Sequence, residues 1–286
     1  RRGPGGVFLR STGQISEGEI ALLETVARVV IDADLGGVAE ALKTSPFDTV
    51  AAPPPAAPRK RIPGAERYPE PLVFENGVGG FSPETNEYVM PKALAGKPPL
   101  PWVNVVSNPN FGFIITDSGS GYTWSENSRE NRLTSWSNDP ILDPASEAVY
   151  VRRSEVGDYW SLTPSPAGDG LEYRVVHGFG SSRFETCNAG IVSTLTVSGS
   201  PQERVKWYSV NLSNREGTEQ KLELYFYADL VLGVTRENSY RFVTTSFDRT
   251  AQALCAVNHY NNEFSGRVVS VGSSEPIVGY SGSRVE

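Results

Sequence analysis

The sequence predicts a mainly β chain: one large antiparallel sandwich, preceded by a helical segment and a proline-rich linker. Three observations carry this. Runs of alternating apolar and polar residues fill the chain from Leu72 onward, glycine, asparagine, serine and proline separate them, and no helical crossover of the kind a parallel sheet needs lies between them. The expected division is residues 1–44, a helical segment; 45–71, a linker; and 72–286, the sandwich.

The helix comes first. In "SEGEIALLETVARVVID", Ser16 stands at an N-cap position with Glu19 three residues on, and Ile20, Leu23, Val26, Ala27 and Val30 recur at the helical period. Gly36 and Gly37 end the pattern, and Val38 to Leu42 can add one more turn. These five apolar side chains predict an amphipathic helix packed on the sandwich. From Ser45 to Pro71, "SPFDTVAAPPPAAPRKRIPGAERYPEP" lacks the backbone donors that regular structure needs, and reads as an extended linker over a surface.

The strands follow. "IVSTLTVSG" places Ile191, Leu195 and Val197 on one face, and "KLELYFYADLVLG" sets Leu222, Leu224 and Phe226 opposite Tyr225 and Tyr227. Between these runs, "LSNREGTEQ" has the turn-forming composition of a hairpin connection. No internal repeat of fixed period is visible.

Composition limits the function. The 286 residues carry a net charge of −7, and the basic residues cluster nowhere beyond Arg59, Lys60 and Arg61, which argues against nucleic acid as a partner. No apolar run is long enough for a membrane span, and the N-terminal "RRGPGGVFLR" has no signal-peptide core behind its charges. Cys187 and Cys255 have neither Cys-x-x-Cys spacing nor a histidine neighbour, so a disulfide framework, a zinc site or another cofactor is not indicated, and a reducing compartment fits best. An N-terminal Arg, a single Met and the ending "SGSRVE" suggest a piece of a longer protein.

Catalytic patterns are weak. His177 and His259 are the two histidines, and no Gly-x-Ser-x-Gly elbow accompanies them. His177, in "VVHGFGSSRFE", reads as a strand-end imidazole bonded to backbone. The glycines of "ENGVGGF" and "SGSGY" lack the lysine and the helix of a phosphate loop and suit tight turns better. Glu126, Glu130, Asp139 and Asp143 offer carboxylates for glycosidase chemistry, but nothing in their spacing singles out an acid with a raised pKa.

The densest polar and aromatic stretch is "SGSGYTWSENSRENRLTSWSNDP", Ser118 to Pro140. A sugar presents hydroxyls that want bidentate partners and a C–H face that lies flat on an aromatic ring. Trp124, Asn127, Arg129, Asn131, Arg132, Trp136, Asn138 and Asp139 supply both kinds of group, and the planar arginine fork also matches phosphate. The competing reading places both tryptophans in the core and the charges in a salt-bridged rim loop.

The runs "FENGVGGFSPETNEYVM", "PWVNVVSNPNFGFIITDSGSGYTWSENSRENRLTSWSNDPILDPASEAVYVR", "WSLTP", "HGFGSSRFE" and "YADLVLG" resemble the N-terminal sandwich of the glycoside hydrolase family 94 phosphorylases. Within that family it looks like the form found in bacterial cyclic β-1,2-glucan synthases. The resemblance spans Leu72 to about Gly233 and continues loosely to Glu286. It implies a β-supersandwich of galactose-mutarotase-like type, followed in such enzymes by a helical linker and an (α/α)6 barrel that holds the aspartate general acid and most phosphate-binding residues. No position here matches that acid, so no catalytic residue carries over. What the resemblance implies is a supporting domain that packs on the barrel of the same polypeptide, shapes the mouth of a cleft for β-glucan or oligosaccharide, and in dimeric relatives contacts a second subunit. It also implies the cytoplasmic part of a larger bacterial inner-membrane protein. On that basis Trp124 and Trp136 are expected to pack or stack at the cleft, and Arg129 and Arg132 to meet hydroxyls, phosphate or an interface. A free-standing carbohydrate-binding or assembly module is the other expectation.

Overall fold

The computed structural model describes residues 11–16, 18–20, 23, 71–91, 98–168 and 170–282. The chain divides into two units, Arg1–Ala57 and Pro58–Glu286.

In the first unit the expected helix start is present. The Ser16 N–H and hydroxyl both donate to Glu19 Oε2 at 2.8 Å, and residues 18–20 are helical. This reciprocal cap satisfies amide groups that have no partner within the first turn. Leu23 is half exposed. Val26, Ala27 and Val30, the rest of the helix and the linker at 45–71 lie outside the described residues.

The second unit is the sandwich. Seventeen strands, numbered in chain order, are found among the described residues, and every strand pair within the sheets is antiparallel. The largest sheet runs β1 (Gly80–Phe81), β2 (Tyr88–Met90), β9 (Tyr173–Gly178), β10 (Ser181–Asn188), β11 (Ile191–Gly199) and β12 (Lys206–Asn214). A second runs β14 (Leu230–Gly233), β6 (Arg132–Thr134), β5 (Gly121–Ser125), β4 (Phe111–Thr116) and β3 (Val103–Asn108). A third joins β13 (Leu222–Ala228), β7 (Glu147–Arg153) and β8 (Tyr159–Ser161), and the last joins β15 (Val243–Asp248), β16 (Ala253–Asn258) and β17 (Val268–Gly272).

Period-two alternation builds the core. Along β11, Ile191, Ser193, Leu195 and Val197 are buried while Val192, Thr194 and Thr196 are partly exposed, as the sequence pattern requires. These residues meet Phe111, Phe113 and Ile115 of β4 and Val149, Val151 and Trp160 of β7 and β8 in one cluster. Each fully buried large side chain contributes about 1.5–3 kcal/mol before entropy is counted. Side-chain amides tie the layers at their edges. Asn104 Nδ2 donates to the carbonyls of Gly178 and Ser181, and Asn108 Nδ2 donates to those of Ser200 and Glu203, all within 3.0 Å.

Two expectations change. "LSNREGTEQ" is not a hairpin connection: β12 closes the six-stranded sheet and β13 pairs with β7, so the segment crosses from one sheet to another. Its ends are held separately, Arg215 N–H by the Gly190 carbonyl and the Lys221 carbonyl by Ser154 N–H. Turn-forming composition suits an inter-sheet arch as well as a hairpin, and the partner of the next strand is a long-range choice that local residues do not encode. His177 is indeed near a strand end, but its Nδ1 is 2.8 Å from the Ser182 hydroxyl rather than bonded to backbone.

Candidate functional site

The Ser118–Pro140 segment spans β5 and β6. Its Gly-Ser-Gly start is a stitched turn. Asp143 Oδ2 accepts from the hydroxyls of Thr116 and Ser118, Ser120 Oγ donates to the Pro144 carbonyl, and Ser146 Oγ donates to the Gly121 carbonyl. Gly119, at φ 90°, packs so closely on Thr163 that a Cβ would lie 2.3 Å from it, so both its conformation and its space call for glycine.

The alternation of β5 then sorts its side chains. Thr123 and Ser125 are buried, and the Thr123 hydroxyl donates to Glu147; Tyr122 and Trp124 project from the other face and stay partly exposed. There the rings form a row. Tyr122 lies 5.3 Å from Trp124 on one side and 5.3 Å from Trp136 on the other, at interplanar angles of 41° and 33°. The Arg132 guanidinium carbon sits 5.3 Å above the Tyr122 ring, while its Nε and Nη1 donate to the carbonyls of Ser128 and Trp136. A cation over a ring face is favourable, and the two backbone bonds fix where it sits. The same face of β3 and β4 continues the surface through Val103, Val105 and Ile114, the two valines being exposed.

The structure thus brings together Trp124, Arg132 and Trp136, and adds Tyr122. The other expected residues serve the turns around them. Asn127 Oδ1 accepts from the N–H groups of Arg129 and Glu130, Asn131 is buried and donates to the Ser125 carbonyl, and Asn138 adopts φ 51°. Arg129, with 79% of its side chain exposed, pairs with its neighbour Glu130 at 3.4 Å. Asp139 accepts from the N–H groups of Leu142 and Ile141, which hold its carboxyl below the usual range, opposite to a general acid. Glu126 pairs with Arg204 and Arg267 at 2.6 and 2.8 Å, and Asp143 is occupied with its two hydroxyls.

Sequence reasoning missed two features. Tyr122 could have been found, since it stands two residues before Trp124 and so shares its face. The buried network beneath the row could not. Glu147 accepts from Thr123, Thr134, Lys206 and Tyr208, residues of β5, β6 and β12. Burial alone would raise the Glu147 pKa, but the Lys206 ammonium and the surrounding donors bring it down to about 2. Burial pushes the Tyr208 phenol well up, and the neighbouring carboxylate adds to it.

Antiparallel sheets packed around one hydrophobic cluster define a β-sandwich. The chain belongs to the glycosyl hydrolase 94 supersandwich domain family, whose model matches residues 86–286. It is 34% identical over 218 residues to the cyclic β-(1,2)-glucan synthase NdvB of Rhizobium meliloti, an alignment covering 75% of this chain and 8% of that protein. It is 27% identical over 154 residues to the N,N'-diacetylchitobiose phosphorylase of Vibrio furnissii, covering 53% of this chain and 19% of that one. Solabiose phosphorylase of Paenibacillus borealis is 23% identical over 188 residues, covering 64% and 24%. The chain therefore spans a quarter or less of the length of each of these relatives.

Proposed function

We propose that this chain is the non-catalytic, glucan-binding and supporting sandwich of a cyclic β-1,2-glucan synthase, and that the Trp124–Tyr122–Trp136 row is where it meets the sugar. The row itself carries the reading: three partly exposed rings, with the Arg132 fork fixed among them, offer the flat apolar surface and the charged donors that a pyranose uses. The identity to a cyclic glucan synthase selects β-1,2-glucan as the sugar to try first. The non-catalytic part of the reading is supported by the candidate carboxylates: Asp139 is engaged in a turn, Glu126 and Glu130 in ion pairs and Asp143 in a hydroxyl clamp. In the complete enzyme this sandwich packs on an (α/α)6 barrel of the same polypeptide and contributes to the mouth of its cleft, as part of the cytoplasmic region of an inner-membrane protein, and a second subunit contacts it in a homodimer.

Titration of the 286-residue chain with linear β-1,2-glucan, followed by tryptophan emission and calorimetry, tests the binding reading. Saturable quenching that is lost in Trp136→Ala is expected; no binding by either method rejects it. Incubation with the same glucan and inorganic phosphate should release no glucose 1-phosphate above a blank. Clear phosphorolysis by this chain would overturn the non-catalytic assignment.

A further inference from the structure

Where β3 meets the paired strands β2 and β9, the sandwich opens into a groove of about 560 Å³, within the size range of small-ligand sites. Phe81, Tyr88 and Trp102 line it as a chain of rings, with centroids 5.1 and 5.2 Å apart. Phe179 stands on the rim at the tip of the β9–β10 hairpin. It is 96% exposed, and Gly180 at φ 76° completes the turn that holds it out. No lining side chain bears a formal charge; Asn86, Asn104, His177, the Tyr88 hydroxyl and the Trp102 indole N–H are the polar groups.

His177 gives the groove a direction of hydrogen bonding. The buried Ser182 hydroxyl receives an N–H from Asn104 and lies 2.8 Å from His177 Nδ1. With Ser182 Oγ already accepting from Asn104, its own proton goes to Nδ1, which places the imidazole proton on Nε2. That nitrogen is buried and has no partner among the described residues. Burial holds the ring neutral, with a pKa lowered to about 4. The groove wall therefore contains an unspent neutral donor. It is closed to water as the walls stand, so an occupant reaches it only with a movement of the wall.

We propose that this groove is a second carbohydrate site, taking a neutral pyranoside whose apolar face lies against Trp102 and Phe179 and whose hydroxyls meet the polar wall. Uncharged walls disfavour an anion such as phosphate, and a purely apolar ligand would leave the imidazole donor unsatisfied. The groove also joins the surface already described. Val103 lines it, and the neighbouring register Val105, Ile114, Tyr122 leads along the outer face of the sheet to the ring row, so one glucan chain has an apolar path between the two.

The proposal shares with the preceding one only the premise that this chain meets carbohydrate, and site-resolved binding separates them. A linear β-1,2-linked glucan oligosaccharide is titrated into the 15N-labelled 286-residue chain, with inorganic phosphate as a second probe. Saturable shifts of the Gly178, Phe179 and Gly180 amides and of the His177 Nε2–H are expected with the sugar and not with phosphate. Phe179→Ala, at a fully exposed position, should keep the melting temperature and weaken these shifts about five- to tenfold in affinity. Trp136→Ala should leave them in place, and their survival when the ring row is silent would reject the preceding reading while sustaining this one. Sugar shifts confined to Tyr122, Trp124 and Trp136, groove shifts that respond to phosphate alone, an unchanged affinity in Phe179→Ala, or no shift anywhere would each overturn the groove site.

Discussion

Gly112 lies directly across the β4–β5 ladder from Trp124, and a Cβ on Gly112 would sit 2.4 Å from the indole Cζ2. The ring lies over bare backbone, and any side chain on that backbone takes its place. Gly112→Ala should therefore push the indole off its seat, at a cost of about 1–3 kcal/mol typical of inserting a methyl group into a packed site. Tryptophan emission should shift, and β-1,2-glucan affinity should fall while the chain stays folded. Wild-type emission together with wild-type affinity would show that Trp124 has room to spare and that the ring row does not depend on it.

Much of this was legible locally. The strict alternation in "IVSTLTVSG" is the burial pattern of β11, and the Ser16 and Glu19 pair is a formed cap, because both depend on neighbours within a few residues. The segment around Trp124 stood out by composition, yet composition did not separate its rings from its turn formers. Asn127 and Asp139 looked like sugar ligands, and their side chains are spent on adjacent amides, a use these residues favour wherever a chain turns. The clamp on Glu147 was out of reach for a different reason: Lys206 lies 59 residues along the chain, and only the stacking of sheets brings it close. The same holds for the arch after β12, where strand partnership is decided by distant residues.

The two expected arginines should now part. Arg132 is stacked on Tyr122 and bonded to two carbonyls, whereas Arg129 projects into solvent beside Glu130. Arg132→Ala should weaken glucan binding roughly tenfold, the scale of one charge-assisted hydrogen bond, with a modest loss of melting temperature. Arg129→Ala should change neither measurably, since exposed ion pairs contribute little. Equal effects of the two substitutions on calorimetric affinity would place the sugar on the turn rather than on the rings.

Lys206 and Glu147 are nine-tenths buried, and Lys206 Nζ is 2.5 Å from Glu147 Oε2. Lys206→Met strands a carboxylate in the core, so it should cost about 3–5 kcal/mol, and Glu147→Gln on that background should recover part of the loss. The folded carboxyl has a pKa of about 2 against an ordinary 4.5. Its contribution is complete above pH 4.5 and is lost as pH falls from there through 2. Denaturant unfolding of the single and double variants checks the pair; strict additivity would mean the two groups do not interact.

His177 should set the acid limit at milder pH. Its folded pKa is about 4 because the ring is buried, against an ordinary 6.5, so the unfolded chain takes up the proton first. A group with a depressed folded pKa stabilises fully above its unfolded value and loses that contribution as pH falls through the folded one, which here means between 6.5 and 4. At pH 5 the expected loss from this residue is about 2 kcal/mol, while Glu147 has scarcely begun to titrate. His177→Gln retains a group able to meet the Ser182 hydroxyl but has no proton to gain. Its unfolding free energy should be lower than wild type at pH 7.5, and the gap should close or reverse by pH 5. A constant gap across that range would mean that His177 titrates alike in the folded and unfolded chain, and that the imidazole under the groove is open to water.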